Sequence, residues 1–328
     1  MKNRVLITGA SGFVGYHVVE EALNKGLEVF AAVRKSSDIS HLKNFNIQVT
    51  YPNFGEIKSL VEDFSKNRYD YIIHLAGLTK ALTEDEYHEV NAQYVQNIAN
   101  AIIKSGIAIK KLVLMSSLAA IGPLNTLDNL ITENKIPNPV TTYGKSKLLG
   151  ETLLQNFNQL DYTILRPTAV YGPRDKDMFI FFKQIAKGYE LYIGKKEQYL
   201  SFIYVKDLAL ASIKALNAPE KSIYILTDGN TYKRADLAKQ TKELLEIKTR
   251  TINIPLPVIK IIAGILGLYG SITNKASALN PEKVNELVAK NWGCDISRSL
   301  NELNYEPKFG LKEGIQNTLI WYKNNNWL

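Results

Sequence analysis

A short apolar run, Arg4 to Thr8, stops at Gly9-Ala10-Ser11-Gly12-Phe13-Val14-Gly15 and passes directly into helical spacing (Val14, Val18, Ala22) over residues 12–25. Glycines spaced G-x-x-G-x-x-G between a strand and a helix constrain this chain more than any other feature. The first permits a tight turn, the second lets backbone N–H groups approach a pyrophosphate, and the third lets helix and strand pack closely. The helix N-terminus adds partial positive charge. An ordinary strand–turn–helix corner needs no such set, so the loop points to a bound dinucleotide. Gly9, Ser11, Gly12, Phe13, Val14 and Gly15 are the residues expected to contact it.

Downstream residues keep the matching rhythm. Apolar, β-branched runs at 28–33, 48–51, 71–75, 111–116 and 162–166 predict strands, and the spacing predicts long helices over 84–104 and 141–157. Near-continuous apolar strands belong to parallel sheets covered on both faces. After Gly172 the pattern changes: 179–187 and 205–216 read as helices and 223–227 as a strand. The expected fold is α/β, a Rossmann-type doubly wound parallel sheet over residues 1–170. A small C-terminal α/β substrate lobe would occupy 171–328, with some segments returning to the Rossmann domain. A length of 328 residues suits about two such units.

Two constellations carry chemistry. At the tip of the second strand, where an acid would bind the ribose hydroxyls of NAD, the chain has Arg34-Lys35 and no acid until Asp38. Two cations there suit a 2′-phosphate, which favours NADP and leaves NAD as the other option. Further on, Ser117 ends the fifth strand, and Tyr143 and Lys147 stand four apart, on one face of a helix. A phenol of pKa about 10 is a poor proton carrier at neutral pH, and a nearby ammonium would lower that value. Tyr-x-x-x-Lys alone is common surface chemistry. Beside a dinucleotide loop and a strand-end serine, it reads as catalytic machinery.

Taken together these residues resemble an extended short-chain dehydrogenase/reductase, of the NAD(P)-dependent epimerase/dehydratase superfamily. The resemblance runs through His74-Leu75-Ala76-Gly77, Val90-Asn91, Met115-Ser116-Ser117, Tyr143-Gly144-Lys145-Ser146-Lys147, Leu165 to Pro173 and Phe202 to Leu208, and reaches Trp292-Gly293-Cys294-Asp295. It implies Tyr143 as general acid/base, Lys147 as holder of the nicotinamide ribose, and Ser117 as the group orienting the substrate carbonyl, with Ser116 the alternative serine. It implies a structural role for Asn91. It places Leu75, Ala76 and Gly77 along the adenosine ribose and pyrophosphate, and Pro167, Thr168, Ala169 and Val170 against the carboxamide. Asn53 stands where many relatives put an adenine-contacting Asp. His74, in an apolar strand, reads as a satisfied core histidine rather than a catalyst.

Substrate choice rests on departures from that pattern. Nucleotide-sugar enzymes of the superfamily usually carry Asn where this chain has Ala169, and Arg where it has Leu200-Ser201. Both losses remove partners for a diphosphate, whose burial without them is costly. The expected reaction is hydride transfer between nicotinamide C4 and a carbonyl or alcohol carbon of an uncharged, fairly apolar substrate, as in the dihydroflavonol-reductase and 3β-hydroxysteroid-dehydrogenase branch. The alternative is a nucleotide-sugar epimerase or dehydratase using the same Ser-Tyr-Lys chemistry.

Segment 257–269, apolar on nearly every side with Lys260 its only charge, fits a buried lobe helix, a greasy lid or a peripheral membrane contact. Its prolines and glycines argue against a spanning helix. The formal charge is +8, but without a Lys/Arg block it is diffuse, and no nucleic-acid partner is expected. The single cysteine, Cys294, excludes an intrachain disulfide and a cysteine-clustered metal site, and no metal is expected. A reducing, cytoplasmic location is expected from that, since Val5-Leu6-Ile7 is too short for a signal peptide. By analogy with relatives, the chain is expected to pair as a homodimer.

Overall fold

A computed structural model describes residues 2–273, 277 and 279–328. Its centre is a seven-stranded, all-parallel sheet: β1 (Arg4–Thr8), β2 (Glu28–Ala32), β3 (Gln48–Thr50), β4 (Tyr71–His74), β5 (Lys111–Met115), β6 (Tyr162–Pro167) and β7 (Ser222–Leu226). They lie in the order β7-β6-β5-β4-β1-β2-β3. The order reverses between β1 and β4, the switch point where loops diverge and leave a crevice. Alternation along each strand builds two cores. On one face Val5, Ile7, Ile73, Val113 and Leu165 meet Val18 and Ala22 of α1 (Phe13–Asn24). On the other, Leu6, Ile72, Leu112 and Ile164 meet Leu60 of α2 (Ile57–Asn67) and Ile98 of α3 (Tyr94–Ser105). The period of two thus serves both layers.

Gly15 fixes how closely α1 approaches. A Cβ there would lie 2.1 Å from the Gly9 carbonyl oxygen, so only glycine lets the helix start against the turn.

Two late segments leave the lobe for the central layer. β7 pairs in parallel with β6, from Ser222↔Thr163 to Leu226↔Pro167. The helix over Val205–Lys214 contributes Leu208, Ala209 and Ala211 to the α1-side core. The lobe keeps a parallel ribbon, Tyr189–Ile193 with Arg250–Ile254, and an aromatic core of Tyr171, Phe182, Phe202, Tyr204 and Tyr322.

The helix expected over 84–104 is interrupted. Glu84–His88 passes through a π-turn, Glu89–Gln93, before α3, and the turn holds Asn91 at 2% exposure. Segment 257–269 is helical, within Leu256–Thr273, and covered on one side only: Ile259 and Ala263 are buried, whereas Ile261 is 64% exposed, Leu268 69% and Ile272 81%. No helix among the described residues is long and apolar enough to cross a membrane.

Candidate active site

Because the sheet is all-parallel, the segments after β1, β4, β5 and β6 leave it at one end. Thr8, the last residue of β1, locks two of them together. Its Oγ1 accepts from the N–H groups of Leu75 (3.2 Å) and Ala76 (3.1 Å) and pairs with His74 Nδ1 at 2.8 Å. Gly9, at φ +68°, sits so close that a Cβ would lie 2.8 Å from Ala76 N. No side chain caps Gly12, and the first turn of α1 carries no acid, so its N–H groups stay free for an anion. This glycine-lined cradle fits the pyrophosphate of a dinucleotide. His74 is only half satisfied: Nε2 has no hydrogen-bond partner among the described residues, and burial pushes the imidazole down to about 3, so it is neutral.

Ser117, Tyr143 and Lys147 converge beside this cradle. Ser117 caps the short turn Leu118–Ala120, its Oγ accepting from Ala119 N at 3.1 Å, and it stands near enough to Tyr143 to act on the phenol. Tyr143 lies in the first turn of α4 (Thr142–Gln155), whose start is set by Thr141 Oγ1 accepting from Gly144 N. Lys147, one turn on, donates from Nζ to the Met115 carbonyl at 3.0 Å. Gly77 leaves room for it: a Cβ there would meet that Nζ at 2.8 Å. Asn91 ties the group together, with Oδ1 accepting from Leu78 N and Nδ2 donating to Leu78 O and Ser146 Oγ.

The expected lowering of the Tyr143 pKa by Lys147 is not found. Burial pushes the phenol up to about 12, the Ser117 hydroxyl opposes the rise, and the charges of Glu286 and Tyr87 add to it. Lys147 itself is pushed down to about 8 by burial, with Glu151 opposing. That has a measurable consequence. Between pH 8 and 10.5 the unfolded chain keeps a proton that the folded one has released, so stability rises with pH across this window and the buried ammonium is destabilising below it. The gap corresponds to about 3 kcal/mol, and the loss of the bond to Met115 offsets about 1 kcal/mol of any gain from removing the charge. Lys147→Met is therefore expected to raise stability in urea at pH 7 by about 2 kcal/mol and to flatten the alkaline slope. A slope unchanged by the substitution would assign it to another group.

Ser116, the alternative serine, is committed elsewhere. It is 3% exposed and its Oγ donates to Glu151, which also takes a forked pair of bonds from Arg166. After β6, Thr168 is bonded to the Leu226 carbonyl, while Ala169 is exposed and Val170 partly so. Arg34 and Lys35 are exposed past the end of β2. Asn53, beyond β3, is exposed and its Oδ1 accepts from Gly55 N, closing its own turn. These three stand on the β2–β3 side, apart from the Ser117–Tyr143 pair.

Two neighbours of Tyr143 had no signal in the sequence. The Tyr87 ring lies 6.3 Å from the Tyr143 ring, centroid to centroid. Glu282, in the helix Pro281–Leu287, accepts from both Thr142 N (2.7 Å) and Thr142 Oγ1 (2.8 Å). It thereby fastens the lobe to the N-terminus of α4.

Known proteins share this architecture along its whole length. The ceramide reductase of Caulobacter vibrioides is 27% identical over 326 residues, covering 99% of this chain and 96% of that protein. The decarboxylating sterol-4-alpha-carboxylate 3-dehydrogenase of Saccharomyces cerevisiae is 26% identical, covering 97% of each. The crystal structure of the Thermotoga maritima UDP-glucose 4-epimerase with UDP-glucose superposes with a TM-score of 0.81 at 22% identity, over 98% of this chain and 99% of that one. The family model described as the NAD dependent epimerase/dehydratase family matches residues 5–226, glycine loop through β7, and the chain belongs to that family of extended short-chain dehydrogenases/reductases.

Proposed function

We propose that this enzyme is an NADP-preferring oxidoreductase acting on a carbonyl or alcohol of an uncharged, apolar, lipid-like substrate. The observation that carries it is the grouping of Ser117 and Lys147 around Tyr143, with Lys147 bonded to the Met115 carbonyl one helical turn on, at the end of the sheet where the glycine cradle opens. Gly9, Ser11, Gly12, Phe13, Val14 and Gly15 hold the pyrophosphate, Leu75 to Gly77 the adjoining ribose, and Pro167 to Val170 the carboxamide side. The bound dinucleotide supplies or takes hydride. Ser117 orients the substrate oxygen, and Tyr143 gives or takes its proton, the step a positioned acid/base accelerates. Lys147, brought down to about 8 by burial and bonded to the Met115 carbonyl, holds the nicotinamide ribose.

Support for an apolar substrate comes from what stands at the positions of the missing diphosphate partners. Ala169 is exposed where an amide would hold a diphosphate, and Ser201, 2% exposed, spends its hydroxyl on the Asn230 carbonyl. The ceramide reductase and the sterol-4-alpha-carboxylate dehydrogenase, alike over nearly their full length, support an apolar body for the substrate, although the sterol substrate also carries a carboxylate. Reduction of a panel of long-chain ketones with NADPH tests the reading. Micromolar binding of UDP, dTDP or GDP sugars in calorimetry, with no ketone turned over, would replace it by the epimerase alternative.

The cofactor preference follows from Arg34 and Lys35, both exposed and free of any carboxylate partner among the described residues. Each charge-assisted bond to a 2′-phosphate contributes about 1.5–3 kcal/mol. NADPH is expected to bind at least tenfold more tightly than NADH, and Arg34→Ala to weaken NADPH alone. Equal wild-type affinities would refute it.

A further inference from the structure

We infer that the helix Leu256–Thr273 docks the enzyme onto an anionic bilayer, lying in the plane of the interface beside the active-site mouth. Its eighteen residues make a rod of about 27 Å. One narrow side, Ile259, Ala263 and Gly270, packs inward with Val284 and the partly buried Leu279 and Val288. The opposite side is apolar and open to solvent: Val258 (44% exposed), Ile261 (64%), Ile265 (61%), Leu268 (69%), Tyr269 (64%) and Ile272 (81%). So large a contiguous apolar stripe marks an interaction surface.

Charge selects the occupant. From Ile247 to Asn280 the sequence holds Lys248, Arg250, Lys260 and Lys275 and no Asp or Glu at all. Arg250 and Lys260 are exposed. The ribbon that feeds the helix exposes apolar side chains of its own. Arg250 pairs with Tyr189 and Ile252 with Leu191, so all four share one face, and Tyr189, Leu191 and Ile252 are each more than a third exposed. Apolar residues framed by cations, on a segment that carries no carboxylate, are the chemistry of a helix seated at the boundary of acyl chains and anionic headgroups. A second copy of this chain would meet cation with cation. Since no helix among the described residues is long and apolar enough to span, this one lies on the membrane rather than crossing it.

The position has a purpose. The helix packs on Pro281–Leu287, whose Glu282 caps α4 one residue before Tyr143 and whose Glu286 acts on the Tyr143 phenol. A substrate leaving the leaflet thus enters next to the proposed acid/base. That purpose rests on the lipid-like substrate proposed above; the docking itself does not.

Flotation with vesicles of phosphatidylcholine containing about 30% phosphatidylglycerol, enough anionic lipid to attract a cationic surface, tests it without any substrate. Wild-type protein is expected to float with these vesicles and much less with pure phosphatidylcholine. Ile265→Glu/Leu268→Glu, and separately Ile272→Glu, are expected to cut the bound fraction at least tenfold while thermal melts stay unchanged, because these side chains touch solvent. Wild-type protein left in the soluble fraction, or variants that float equally well, would overturn the inference. So would a micromolar dimer dissolved by the same substitutions in a protein that ignores vesicles. Protein that floats yet reduces no ketone would leave the docking standing and remove the substrate reading instead.

Discussion

Tyr143→Phe is expected to lower turnover by about 10²–10⁴-fold while leaving dinucleotide affinity within a factor of two, the range in which general acid/base groups act. The substitution keeps the ring against Tyr87 and removes only the hydroxyl beside Ser117. Two outcomes separate its roles. A fall in kcat and kcat/KM together marks an interaction made in the transition state, whereas a rise in KM alone would mean that Tyr143 only binds substrate. The phenol titrates near 12 by burial, so it is protonated throughout the neutral range and is poised as the acid in the reductive direction. Reduction should hold steady from about pH 6 to 8, and oxidation should climb with pH. A variant with near-normal turnover would remove Tyr143 from the mechanism.

Arg166→Met is expected to destabilise the protein by about 3–5 kcal/mol, the cost of leaving one member of a buried ion pair uncompensated. Glu151 is 1% exposed and Arg166 4% exposed, with Arg166 Nε 3.0 Å from one carboxylate oxygen and Nη2 2.5 Å from the other. The pair joins α4 to β6 directly beneath Lys147, and Ser116 adds a third bond to the carboxylate. Urea unfolding of Arg166→Met, Glu151→Leu and the double variant gives the answer. Two apolar side chains of similar volume should restore most of the loss, since desolvating both charges consumes much of what their attraction gains. A single variant that loses less than about 1 kcal/mol would show that water reaches the pair.

The features legible in the sequence were those built from neighbours along the chain. The glycine loop, the seven sheet strands and the Tyr143–Lys147 spacing all depend on local pattern. What stayed hidden depends on distant partners or on what covers a surface. Ser222–Leu226 reads as a strand from composition, but nothing local says that it pairs with β6. The π-turn around Asn91 changes the phase of the helix and not its composition, so residue types alone do not reveal it. Ser116 and Ser117 look equivalent as letters; only burial against Glu151 separates them. The helix Leu256–Thr273 shows the limit most clearly. A helix apolar on all sides has the same periodicity in a core and on a membrane, and only its neighbours decide.

The late arrival of β7 also ties this fold to the clock of translation. When the ribosome has made residue 168, β6 is complete, and every one of its residues is of the kind the finished protein hides. Its outer row of N–H and C=O groups has no partner until residue 226 follows. At roughly 5–20 residues per second that interval lasts about 3 to 12 seconds. Throughout it the nascent chain presents an unpaired strand edge, the template on which foreign strands add. A chaperone that shields emerging apolar segments therefore meets its greatest demand on this protein midway through synthesis, not at release.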